Sequence, residues 1–358
     1  MKVRPAVAAG VAVAVVALAL PAGSLYYEYS AGAACARCHE IRGDHDLWQV
    51  SSHRGVTCGD CHGSIVTFDP GFHVGNVRRL VQHVRGAFSD PVRLRSVDVP
   101  RLMERCQACH RQEFAEWQSS THSVPYRKIF LDQKHNREHP LNDDCLRCHG
   151  MHFEGGIRDL VAPLDAAGPW RLLRPELADR PAIPCLTCHQ MHRQGERVSP
   201  AAVKREKTRP SVALFDRREQ RHFAFDLLSL PAMRDGGRAV KLSPDTRQAL
   251  CYQCHAPQAN AQVASGDDRT PIGVHEGLSC LACHRKHGQQ TRASCAECHP
   301  RLSNCGLDVE RMDTTFADSK STHNIHFVKC ADCHRNGVPR RRQPGPLTSS
   351  GGSAVVSQ

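Results

Sequence analysis

One pentapeptide, C-x-x-C-H, occurs nine times in this 358-residue chain and takes up eighteen of its 19 cysteines. The copies comprise Cys35, Cys38 and His39; Cys58, Cys61 and His62; Cys106, Cys109 and His110; Cys145, Cys148 and His149; Cys185, Cys188 and His189; Cys251, Cys254 and His255; Cys280, Cys283 and His284; Cys295, Cys298 and His299; Cys330, Cys333 and His334. Two thiols three residues apart share one face of a helical turn, and the next residue swings an imidazole beneath the same spot. Zinc knuckles need no histidine at that fixed offset, whereas here it follows the second cysteine every time. The spacing is that of c-type haem attachment: both thiols add to the vinyl groups of one macrocycle and the histidine ligates its iron. Nine covalently bound c-type haems, with the nine motif histidines as iron ligands, are the cofactors to expect.

That expectation dictates the fold class. Successive first cysteines are 23, 48, 39, 40, 66, 29, 15 and 35 residues apart. Roughly 37 residues per haem are too few for an independent apolar core at each site. Aromatic residues make up only 5% of the chain, so the macrocycles must supply the missing bulk. The expected fold is mainly α with extensive irregular loops, a multihaem cytochrome c wrapped around a chain of nine haems, with little β-structure.

The segments divide as an N-terminal signal-anchor or signal peptide (1–27), a module with haems one to five (28–195), a haem-poor helical connector (196–247), a module with haems six to nine (248–338) and a disordered tail (339–358). In the connector, Ser211–Leu230 carries apolar residues from Val212 to Leu228 among charges and predicts a helix. Ser243-Pro244-Asp245-Thr246 has a capping residue followed by proline, which predicts a helix carrying Cys251–His255. Cys305 has no second cysteine or histidine at the motif offset and reads as a buried or free thiol.

Lys2 and Arg4 precede an uncharged run from Pro5 to Tyr27. Residues 6–25 are about long enough to span a bilayer as a helix, so a retained inner-membrane anchor is expected. The competing reading is a cleaved signal peptide with a soluble periplasmic or extracellular product. Either way the motif-bearing part is exported. The formal charge of +11 is no nucleic-acid signal: haem propionates and iron would bring it to about +2 oxidised and about −7 reduced, and aromatics are sparse.

Fourteen histidines remain outside the motifs, enough for a second axial ligand at every iron. His53, His122, His152, His192, His275 and His287 recur in repeated settings and rank first. Trp48-Gln49-Val50-Ser51-Ser52-His53 parallels Trp117-Gln118-Ser119-Ser120-Thr121-His122. His53-Arg54-Gly55-Val56-Thr57-Cys58 parallels His275-Glu276-Gly277-Leu278-Ser279-Cys280, and His152, His192 and His287 each follow a motif histidine by three. A histidine so placed serves a neighbouring haem, because its own iron's far face is across the ring. His323, His326, His139 and His83 come next, followed by His45, His73, His135 and His222. Met151 and Met191 adjoin better candidates and read as packing against porphyrin.

From the apolar run through Cys61-His62 the chain resembles the membrane-anchored quinol-dehydrogenase cytochromes of the NapC/NirT family. The resemblance is carried by Cys35-Ala36-Arg37-Cys38-His39-Glu40, Trp48, Ser51-Ser52-His53 and Gly55-Val56-Thr57-Cys58. Cys106–His192 is similar to the wider multihaem nitrite-reductase and hydroxylamine-oxidoreductase superfamily. The first resemblance implies electrons entering from the quinol pool, menaquinol or another quinol, and passing to periplasmic or outer-membrane redox proteins. Some anchored members carry methionine two residues after the first haem's histidine; here that residue is Ile41. The leading expectation is a periplasmic, membrane-anchored nonahaem electron carrier without nucleic-acid partners. A second reading is a haem enzyme acting on a small nitrogen or sulfur compound at one five-coordinate haem. Its usual signature, lysine replacing a motif histidine, is missing from all nine copies. A third is a subunit of a larger respiratory complex.

Overall fold

A computed structural model describes residues 5–30, 32–63, 70–87, 94–192, 212–224, 227–255, 268–288, 295–302 and 308–336. Cys305, the segment 193–211 and the tail from 337 lie outside these residues.

Helices are short and joined by turns. The exceptions are α1 (Pro5–Tyr29), α2 (His39–Gln49), α4 (Pro70–Val84) and α5 (Val99–Cys109); between them α3 is the single motif turn Cys58–His62. α1 projects apolar side chains outward, with Val13 and Leu18 about 70% exposed. Among the described residues no helix registers as long and apolar enough to cross a membrane, although the α1 sequence stays uncharged as far as Tyr27. Among the described residues strand is confined to three two-stranded antiparallel ribbons: β1 (Val161–Ala162) with β2 (Arg171–Leu172), β3 (Ala213–Asp216) with β4 (Arg221–Ala224), and β5 (Arg234–Asp235) with β6 (Arg238–Ala239).

The hairpin β3–β4 replaces the helix expected across Val212–Leu228. Leu214, Phe215 and Phe223 favour a pleated surface. The Arg217–Gln220 turn closes with Gln220 at φ 53°, and the Ala213 amide docks on the Cys188 carbonyl at 2.9 Å. Tertiary pairing beside a motif thus overrides the helical periodicity. The helix expected from Ser243 is likewise two 3-10 turns, Thr246–Ala249 and Cys251–Gln253. Asp245 is the cap, accepting from the Arg247 amide, while Ser243 accepts from the Asp245 amide one step earlier.

Among the described residues the buried apolar side chains form three small clusters. The largest joins Tyr126, Phe130, Leu141, Leu146, Phe153, Ile157, Leu160, Val161 and Ala182. Val99, Met103 and Leu186 form the second. The third is Met151 with Leu214 and Phe215, so Met151 packs on the hairpin. The chain divides into two compact units: Met1–Met233 with Ser243–Asp268 and Ser279–Thr291, and Arg234–Leu242 with Arg269–Leu278 and Arg292–Gln358. This division differs from a boundary at 196–247: the sixth and seventh motifs belong to the first unit, the eighth and ninth to the second.

Candidate haem-binding sites

The motifs fold alike. In seven of them the histidine amide donates to the carbonyl of the first cysteine at 2.8–3.0 Å: His110, His149, His189, His255, His284, His299 and His334. One closed turn therefore brings both thiols to one side and turns the imidazole under them. In the second motif Thr57 starts the turn, its Oγ1 accepting from the Asp60 amide while Asp60 accepts from the Thr57 amide. The described motif cysteines form no disulfides with one another. Burial pushes the Cys106 and Cys188 thiols up to about 11, which marks their surroundings as apolar.

The repeated cassettes are also real folding units. Ser51 Oγ donates to the Trp48 carbonyl at 2.8 Å and accepts from the His53 amide at 3.1 Å. Ser120 does the same with Trp117 and His122, at 2.7 and 3.2 Å. Both serines are buried and hold a turn that presents the histidine. In the His-x-Gly cassettes the matching bonds are Val56 N to His53 O and Leu278 N to His275 O.

Six motif histidines face a second imidazole. Ring centroids are 5.6 Å apart for His39 and His83, 5.8 Å for His62 and His192, and 6.0 Å for His110 and His53. They are 6.0 Å apart for His189 and His287, 6.2 Å for His255 and His122, and 6.3 Å for His299 and His275. A metal–imidazole nitrogen bond of about 2 Å on each side of an iron puts two opposed ring centroids about 6 Å apart. The rings are too far apart to stack and are spaced as an iron between them requires. Five of these six partners rank first in the sequence; the sixth is His83. His192 and His287, each three residues beyond a motif histidine, face the histidine of a different motif.

The remaining candidates lie elsewhere. His152 is stacked on Phe215 with centroids 4.2 Å apart. It is buried, and neither ring nitrogen has a hydrogen-bond partner, as expected of a side chain whose ligand role is unfilled. Burial lowers its pKa to about 3 and keeps it in the neutral form that binds metals. Burial also lowers the pKa of His53, His62, His275 and His284. His139 pairs with His135 at 5.1 Å. His323 lies 3.1 Å from Asp313 and His326 Nδ1 lies 3.0 Å from Asn324. His222 Nε2 donates to the Leu186 carbonyl at 2.7 Å. The side chain of His73 lies outside the described set.

Thiols of different motifs also approach one another. Cys254 hydrogen-bonds with Cys148, and Cys251 with Cys280. Cys35 lies within electrostatic reach of Cys58, Cys61 of Cys109, Cys106 of Cys185, and Cys188 of both Cys251 and Cys254. The first, second, third, fifth and sixth motifs thus form a succession, and the fourth and seventh adjoin the sixth.

The sequence family described as cytochrome c554 and c-prime matches residues 105–159 and 217–285. The chain is also 26% identical to the cytochrome c-type protein NrfH of Wolinella succinogenes over 156 residues, 40% of this chain and 80% of that protein. Motifs and relatives together support a multihaem c-type cytochrome. No solved structure matches it.

The residues present fit a haem group: paired thiols, an imidazole below them and, at six motifs among the described residues, a second imidazole at iron-spanning distance. One glycine is part of that fit. Gly32, at φ +81°, passes so close to the second motif that a Cβ there would meet Cys58 Sγ at 2.8 Å and His45 Cδ2 at 3.1 Å. Gly32→Ala is expected to cost about 1–2 kcal/mol in backbone conformation alone and to displace Cys58. Intact mass should show a substantial fraction of chains one haem short; full loading would contradict this role.

Proposed function

We propose that the chain is a periplasmic nonahaem electron carrier, held at the inner membrane by α1, that passes electrons from the quinol pool to periplasmic or outer-membrane redox proteins. The six facing imidazole pairs carry this reading. An iron ligated by histidine on both faces offers substrate no position, and histidine pairs favour lower potentials than methionine–histidine pairs. Haem supplies one-electron ferric–ferrous exchange when bound. The chain's own part would be to anchor each macrocycle by two sulfurs and, at the six paired motifs, to present two imidazoles to its iron. Contacts between the thiols of Cys148 and Cys254, and of Cys251 and Cys280, support spacing close enough for direct exchange between neighbours.

The second reading, a haem enzyme with one five-coordinate iron, has no specific observation in its favour. The quinol link rests on the N-terminal resemblance and on the uncharged run of α1. Membranes carrying the full-length cytochrome should become reduced on addition of a menaquinol analogue, and a chain lacking residues 1–29 should lose at least tenfold in rate while keeping its haem spectrum. Equal rates would remove the quinol and anchor assignment.

A further inference from the structure

The first motif differs from the others in what stands opposite its histidine. His39 begins α2, and the residue after it is Glu40, a carboxylate only 8% exposed. His83 comes from the last turn of α4, 43 residues away, and its ring centroid lies 5.6 Å from that of His39. Glu40 Oε1 is hydrogen-bonded to His83 Nδ1 and lies 3.5 Å from His39 Nε2. One donor atom from each of the three residues falls within 4.8 Å of the other two. Among the described residues this is the one histidine–carboxylate cluster able to hold a metal ion.

The chemistry of the three donors separates their roles. His39 belongs to the attachment motif, so its imidazole is committed to the iron below Cys35 and Cys38. Ile41, two residues further on, has no donor atom. A carboxylate accepting from Nδ1–H fixes a histidine in the tautomer whose lone pair is on Nε2, orients the ring and raises its basicity. Glu40 does this to His83, which puts the lone pair of that ring on Nε2. Glu40 itself follows its own proximal histidine directly in the chain, and its oxygen is already engaged with His83.

We infer that His83 is the sixth ligand of the haem attached at Cys35 and Cys38, and that Glu40 is the positioning residue that aims it. The haem held at Cys35 and Cys38 would then have an imidazole for each face of its iron. This inference rests on the bis-histidine reading above and adds to its pair at the first motif the carboxylate that aims one of the two rings.

The test uses the full-length, haem-loaded protein and EPR spectroscopy of the oxidised state. His83→Ala should convert one low-spin haem per chain to high spin and create a binding site for one equivalent of carbon monoxide in the reduced state, and added imidazole should restore the low-spin signal. Glu40→Gln should keep every haem low-spin but shift the g values and potential of one, a change that mere loosening of α4 would not produce. His122→Ala serves as the reference. If it yields a high-spin haem while His83→Ala leaves the spectrum unchanged, the assignment of His83 is overturned and the wider pairing stands. If neither yields one, the bis-histidine reading falls as well. Unaltered g values and potential in Glu40→Gln would remove Glu40 from its role.

Discussion

Replacing His192 with alanine is expected to turn one low-spin haem per chain high-spin, and the haem affected should be the one at Cys58 and Cys61, not the one at Cys185 and Cys188 beside which His192 lies in sequence. The His192 and His62 rings face each other at 5.8 Å, with Asp44 Oδ2 3.8 Å from His192 Nδ1. His287→Ala should likewise open the haem of Cys185 and Cys188, because His287 faces His189 at 6.0 Å. The effect is large because an axial ligand sets both spin state and potential. Methionine in place of either histidine should keep the haem low-spin and raise its potential by on the order of 100 mV, within the ~0.8 V that axial ligands span. Optical redox titration and EPR read both changes. An unchanged spectrum in both alanine variants would mean that the facing rings do not clasp an iron.

A chain made without haem attachment should not fold. Among the described residues the largest apolar cluster unites nine buried residues and the other two three each, small interiors beside the conformational entropy that folding must offset, and strand there amounts to three two-stranded ribbons. Protein produced in cells lacking haem-attachment machinery should lose most of its far-ultraviolet circular dichroism and be digested at protease levels that leave the haem-loaded form intact. A protease-resistant apoprotein with the same spectrum would contradict the idea that haem is the interior.

Local chemistry at the motifs is legible in the sequence because a C-x-x-C-H turn is closed by its own i to i+4 bond. The Trp-x-x-Ser-x-His cassettes are legible for the same reason: the serine of each bonds within its own six residues. Partner choice is not. Nothing in the spacing ties His53 to His110 or His122 to His255, since these pairings depend on how distant turns dock. His83 is missed as a leading ligand because it belongs to no repeated setting; its signal is the acid at Glu40, directly after a motif histidine and 43 residues before its partner. The helix expected across Val212–Leu228 fails because an apolar run of that length fits either period, and docking against Cys188 decides for a hairpin.

The most direct test of the account is the EPR spectrum of the oxidised full-length protein, with haem counted per chain by intact mass. The expected result is nine haems, all low-spin, with no high-spin signal and no change on adding nitrite or hydroxylamine. A haem that is high-spin as isolated and binds either compound would contradict the electron-carrier assignment and favour an enzyme.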